Sequence, residues 1–183
     1  MTYYGANWYN VVFSQTASVT VANTGTETNL VSTGIGSATL PAHFLTVGRT
    51  IRVTAMGYLQ TKAAPVGGLT LRVRINGIAG AIVLENNGAD PTASLSTDRL
   101  WQITGLITCR TTGATGTVFA QGQFTIHTVS GPTGAEQVDQ MNNSATVTVD
   151  TRGTREITVS CDWVTADVAN TLTCTNILIE ALG

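Results

Sequence analysis

The sequence predicts an all-β fold: a two-sheet antiparallel β-sandwich, jelly-roll-like, of about ten strands, with a short N-terminal arm. Three observations carry this. About one residue in six is Thr, and Thr and Val crowd a helix at χ1 while they pack well on a pleated sheet. Apolar and polar residues alternate with period two almost everywhere beyond Ser18, and the alternation breaks at Gly, Asn and Pro clusters. No apolar pattern of helical period persists over three turns. At 183 residues and 19.1 kDa the chain has the size of one domain, divided here into an arm over residues 1–17 and a single sandwich over 18–183. That length is generous for an immunoglobulin-like sandwich and suits a jelly roll better.

Taken in order, the early chain offers short strands at Ser18 to Ala22, Glu27 to Thr33 and Ser37 to Leu40. Pro41 to Leu45 is expected to make one helical turn, since proline is preorganised for the first helical position. Thr50 to Lys62 is the clearest strand: Ile51, Val53, Ala55, Gly57 and Leu59 share a core face, and Arg52, Thr54, Met56 and Tyr58 take the other. Leu69, Leu71, Val73 and Ile75 repeat the pattern against Thr70, Arg72 and Arg74. Asn76-Gly77 is the strongest short hairpin signal in the chain, and Ala81 to Glu85 is its return strand. The next hairpin turns at Gly113 to Gly116, which sets Cys109 opposite Ala120, Ile107 opposite Gly122, Gly105 opposite Phe124, Ile103 opposite Ile126 and Trp101 opposite Thr128. In that register small faces large, as a curved sheet requires. Ser130 to Ser144, with Gly131-Pro132 and Asn142-Asn143, is expected to be a long surface loop, and Ala145 to Asp150 a strand. The last hairpin, turning around Ala166 to Asn170, places Cys161 opposite Cys174. This pair is either a cross-strand disulfide or two buried thiols, and assembly in a reducing compartment favours the thiols.

Composition excludes several function classes. With 11% charged and 43% hydrophobic residues and a net charge of -2, the chain is neither disordered nor a basic nucleic-acid binder. No apolar run approaches the roughly 18 residues needed to span a bilayer, and the opening MTYYGANWYN lacks the parts of a secretory signal, so no membrane partner is expected and synthesis is expected to end in the cytosol. Three cysteines without CxxC or Cys/His spacing argue against a zinc site, and no calcium loop is present, so neither metal nor cofactor is expected. Gly34-Ile35-Gly36-Ser37 resembles half of a phosphate loop but precedes a strand and has no lysine near it. Asn142-Asn143-Ser144 is a chance sequon. His43 and His127 lack partners placed for a triad, and no two carboxylates are concentrated as a glycosidase pair, so no catalytic residue is named and no enzyme is expected.

Two groups remain as candidate interaction residues. Five of the eleven aromatics, Tyr3, Tyr4, Trp8, Tyr9 and Phe13, fall in the first thirteen residues, a composition suited either to docking on another surface or to folding over the end of the same sandwich. Arg52, Arg72 and Arg74 alternate with core residues and form a possible arginine cluster, set either to meet acidic residues of a neighbouring subunit or to lie on a solvated face.

The stretch NLVSTGIGSATLPAHFLTVG at Asn29 to Gly48, followed by Thr50 to Leu59, together with GATGTVFAQGQF at Gly113 to Phe124 and TLTCTNILIE at Thr171 to Glu180, resembles a family of tailed-bacteriophage and prophage virion proteins. The resemblance covers most of residues 29–181, and its motifs are turns and strands. It implies a β-sandwich that forms homotrimers and occurs as a capsid decoration (cement) protein or as the terminal domain of a tail fibre. The aromatic N-terminus lies outside the matched part. A short chain without a heptad stalk favours the decoration role, which implies the major capsid protein as partner and the virion exterior as location, after assembly in the host bacterial cytoplasm. Tyr3 to Phe13 would dock or join protomers, with Asn86 to Ser96 and Ser130 to Ser144 as distal or rim surfaces. The alternative is a tail-fibre or baseplate protein recognising a host-surface glycan, which needs an exposed aromatic platform beside amide or carboxylate groups; Trp101 and Trp163, on expected core faces, do not supply one.

Overall fold

A computed structural model describes residues 9–61, 68–86, 98–127, 136–142 and 145–183. Within them the chain is all-β, with fourteen strands and no helix: β1 (Tyr9–Gln15), β2 (Val19–Ala22), β3 (Thr28–Asn29), β4 (Gly34–Gly36), β5 (Thr39–Leu40), β6 (Thr50–Gln60), β7 (Leu69–Ile75), β8 (Ala81–Glu85), β9 (Arg99–Thr111), β10 (Thr117–His127), β11 (Glu136–Asn142), β12 (Val147–Thr148), β13 (Arg155–Trp163) and β14 (Thr171–Leu182). They form two antiparallel sheets. The larger has nine strands in the order β11-β10-β9-β6-β14-β1-β4, with β12 also beside β10 and β2 beside β14. The smaller has five, β3-β13-β7-β8, with β5 also on β13. The strands beyond those expected are β1, β4 and β11.

The inner faces pack as the alternation requires. On β6 every second residue from Ile51 to Leu59 is buried, and Leu69, Leu71, Val73 and Ile75 of β7 are likewise at or below 1% exposure. Trp101 and Trp163 are both in the core. Asn76 and Gly77 both take positive φ (84° and 77°) in the turn between β7 and β8, the conformation that an Asn-Gly pair tolerates best. Pro41 to Leu45, expected as a helical turn, is instead a β-turn: the Phe44 N–H donates to the Pro41 carbonyl at 3.2 Å and His43 has a φ of 61°.

The N-terminal segment differs from the expected arm over 1–17. From Tyr9 onward it is a strand, held between β14 and β4, and Phe13 is 4% exposed within the core. A register shift between Val11 and Phe13 puts a bulge at Val12, whose carbonyl accepts the Ser37 N–H at 2.9 Å. The bulge breaks the period-two pattern, which is why alternation does not show a strand there. Gly34 and Gly36 lie so close to β1 that a Cβ on either would strike its backbone. The phosphate-loop-like glycines are therefore a close-approach device.

Two expected pairings are corrected. The β9–β10 register is displaced by two residues: Cys109 faces Val118, Ile107 faces Ala120, Gly105 faces Gly122, Ile103 faces Phe124 and Trp101 faces Ile126. The turn sets Thr111 opposite Thr117, one residue from the expected register, and an irregularity between Thr117 and Val118 adds the second; the even total leaves every side chain on its expected face. The small-opposite-large fit lies on the other side of β9, where Gly57 of β6 faces Trp101. Secondly, β13 and β14 are not a hairpin. The connection between them crosses from one sheet to the other, so Cys161 and Cys174 belong to different sheets, and both are free thiols. Likewise Ser130 to Ser144 is not loop throughout, because β11 occupies its middle and pairs along β10 as an edge strand. Gln137 and Met141 of β11 face inward, and so does Asp139, whose carboxyl is pushed up by burial even though Gln137 donates a hydrogen bond to it at 3.3 Å. An inward carboxylate on an edge strand opposes pairing with a further strand.

Candidate functional site

The two outer faces of the sandwich are built from different chemistry. On the five-stranded sheet, Arg72 and Arg74 of β7 alternate with core residues and point outward, as the sequence pattern requires. Arg72 donates to Glu85 of β8 and to Asp162 of β13, and lies 3.5 Å from Glu27. Arg74 holds Glu27 through both carboxylate oxygens, at 2.7 and 2.8 Å, and Ser160 Oγ donates to the same group at 2.5 Å. Burial on its own would raise the Glu27 carboxyl, but the hydrogen bonds from Arg74 and Ser160 and the charges of Arg74 and Arg72 outweigh it and hold the carboxyl below the usual range. For Arg72 the burial penalty is likewise outweighed, by hydrogen bonds to Glu85 and Asp162, and its pKa is raised. Arg52 lies on the other sheet and donates to Glu180 of β14 at 2.6 Å. The arginines thus form no single cluster, and the carboxylates expected from a neighbouring subunit are supplied by the same chain.

The nine-stranded sheet turns an almost uncharged face outward. Reading across β10, β9, β6 and β14, one row is Gln123, Thr104, Thr54 and Leu178, and the next is Thr125, Gln102, Met56 and Asn176. Rows on either side carry Leu106 at 44% exposure and Leu100 with Tyr58 at 40% and 47%. Val11 of β1 and Val138 of β11 extend the apolar positions toward the edges, at 50% and 55%. Among the described residues the ion pair within the face is Arg52–Glu180, and Glu180 is already only 1% exposed. Other charges described there stand at its ends: Arg110, over the Phe119 ring at 5.6 Å, at one, and Asp98 and the His127–Glu136 contact at the other. A neutral centre of Thr, Gln and Asn flanked by exposed apolar side chains, with charge kept to the ends, is a surface that a covering protein can desolvate at low cost. Its signal in the sequence was the large apolar residues, Leu100, Leu106 and Tyr58, at positions where the alternation calls for polar ones.

Of the expected docking residues, Tyr3, Tyr4 and Trp8 lie outside the described residues. Tyr9 opens β1 opposite Leu182, and Phe13 is core, so a docking role for Phe13 is corrected. Of the loop Asn86 to Ser96, residues 87–96 lie outside the described residues, while Asn86 is 4% exposed and bonds the Leu71 N–H and the Leu69 carbonyl. It is a brace within the fold, not a rim residue. Two clefts of about 300 and 340 Å³ flank the segment from Thr148 to Arg155, one against Asn76 to Ala81 and one against His43 to Thr46. Asp150, beside the first, is drawn down to about 2 by hydrogen bonds from Arg152. Among the described residues no three His, Cys, Asp or Glu side chains gather as a metal site, and no helix is long and apolar enough to cross a membrane.

No protein-family model and no curated protein matches the chain. Among solved structures it is similar to an endo-1,3-beta-glucanase from Streptomyces sioyaensis, at 12% identity and a TM-score of 0.31 over 76% of this chain and 66% of that one. A chain in the structure of infectious bursal disease virus Gx strain is similar at 13% identity and a TM-score of 0.22, over 96% of this chain and 39% of that one. Likeness at this level carries no function from either protein to this chain.

Proposed function

We propose that the chain is a non-enzymatic virion structural protein: a capsid decoration, or cement, protein that acts as a homotrimer on the capsid exterior after assembly in the bacterial cytoplasm. The observation that carries the reading is the neutral outer face of the nine-stranded sheet, with Leu100, Leu106 and Tyr58 exposed on it. Such a surface gains free energy by burial of its apolar side chains against protein. The sequence resemblance supplies the virion context. In this reading the sandwich binds only assembled shells, and binding one state of an assembly stabilises that state by linkage. Tyr3, Tyr4, Trp8 and Tyr9 contact the major capsid protein, with which they bury large apolar rings that keep a polar tip. No nucleic acid, membrane or cofactor takes part.

The test is to image virions with and without this protein and count its copies. Hundreds of density knobs on the shell would establish the cement role. Density confined to the tail would replace it with the fibre or baseplate reading, in which a host glycan is the ligand.

A further inference from the structure

We infer that the outer face of the nine-stranded sheet is covered by a second copy of this chain. The inference goes beyond the proposed function: two copies laid face to face make a two-fold contact, which joins chains two at a time and is separate from any surface that closes a trimer.

Size comes first. Six neighbouring strands, β11 to β1, at about 4.8 Å spacing, with about nine residues each at about 3.3 Å, present about 800 Å². A standard stable interface takes about 800 Å² from each partner. Covering the face is also cheap in desolvation. Apart from Arg52 and Glu180 its described centre is Thr, Gln, Asn and apolar side chains, and the Glu180 carboxylate has already left water for its bond with Arg52.

The choice of occupant follows from the rim. Arg110 stands at one end of β9, while Asp98 precedes its other end and Glu136 pairs with His127 in the row of Leu100. The ends are about 33 Å apart along the strand. Among the described residues the face carries Arg110 at one end and the Asp98 and Glu136 carboxylates at the other, where the Arg99 guanidinium turns to the Asp98 carbonyl, and it is complementary to itself when a second copy lays its Arg110 end against the Glu136 end. A strongly charged partner would find no matching field at the centre.

The experiment is sedimentation velocity on the purified chain from about 1 to 100 µM, with thermal unfolding and circular dichroism as controls of folding. The wild type is expected to associate, and Leu106→Glu to weaken association by about 100-fold with the folded state retained. Should Leu106→Glu fail to fold, Thr104→Glu at the centre of the same face takes its place. Arg110→Glu is expected to weaken association by about 10-fold, and Glu136→Arg in the same chain to restore it. A wild type that stays monomeric at 100 µM, or a folded Leu106→Glu variant with wild-type mass, would overturn the inference. Binding to purified shells separates this from the proposed function: an associating chain that ignores shells sinks the capsid role and leaves this face, and a monomer that decorates shells sinks this face and the trimer but leaves the capsid role.

Discussion

Cys161 and Cys174 sit on the inner faces of opposite sheets, and the thiol of each is pushed up to about 12, chiefly by burial. Cys109 is raised by the same cause. A thiol reacts as its thiolate, so at neutral pH all three are poor nucleophiles. The expected outcome of an Ellman titration is therefore no fast reaction in the native protein and three thiols per chain after unfolding without reductant. One thiol after unfolding would mean that Cys161 and Cys174 are bridged in solution. At the same scale, Trp101 shows how an aromatic with a polar atom is buried: its Nε1–H is shared between the Tyr58 and Thr173 carbonyls, both at 3.2 Å.

At the scale of elements, β9 and β10 meet through two facing glycines, Gly105 and Gly122. The space above them is filled from the opposite sheet by Leu84 of β8, whose Cδ1 a Cβ on Gly105 would overlap and a Cβ on Gly122 would approach to 3.4 Å. The pair is a socket for one leucine, and it fixes where the smaller sheet sits on the larger. Gly105→Ala is expected to cost roughly 1–3 kcal/mol by overpacking. Leu84→Ala is expected to cost roughly 2–5 kcal/mol by leaving a cavity. Combined, they should cost less than their sum by about 1 kcal/mol or more, because the new methyl enters the space the leucine vacates. Denaturant titration of the four proteins checks this, and strict additivity would show that the glycines answer to something other than Leu84.

Across the described residues of the whole molecule, charge is segregated: one outer face holds a closed network and the other holds almost none. Glu27 ties the connection between β2 and β3 to both β7 and β13, through Arg74, Arg72 and Ser160. Its folded pKa lies below its unfolded one, so its contribution is fully present above the unfolded value and is lost as pH falls through the folded value. Below about pH 4.5 the wild type should therefore lose stability progressively. Glu27→Gln should be less stable at pH 7 by roughly 1–3 kcal/mol and should show a shallower decline in acid. Thermal unfolding from pH 7 to 3 reads both, and parallel curves would remove Glu27 from the network's pH response. The closed network also leaves the smaller sheet with few unpaired charges to offer a partner, and so directs the proposed contacts to the larger one.

Alternation alone determined the β class, the inward and outward faces of β6, β7, β9 and β10, the burial of Trp101 and Trp163, and the Asn76-Gly77 turn with its return strand. These are local consequences of a repeat of two and of a residue pair that accepts positive φ. Only the tertiary structure decided which strands pair. The bulges at Val12 and near Thr117 cannot be seen as breaks of a particular kind in one sequence, yet the first lies in a core strand where an arm was expected and the second supplies one of the two residues by which a hairpin is displaced. Whether a tight connection returns in the same sheet or crosses to the other depends on what each strand finds to pack against, and this separated Cys161 from Cys174. The same holds for the arginines: period two placed Arg52, Arg72 and Arg74 on outward faces, but carboxylates brought from up to 128 residues away decided that their charges are spent within the chain. The neutral face left on the larger sheet is a property of strand order, because its rows assemble from residues that no local pattern connects.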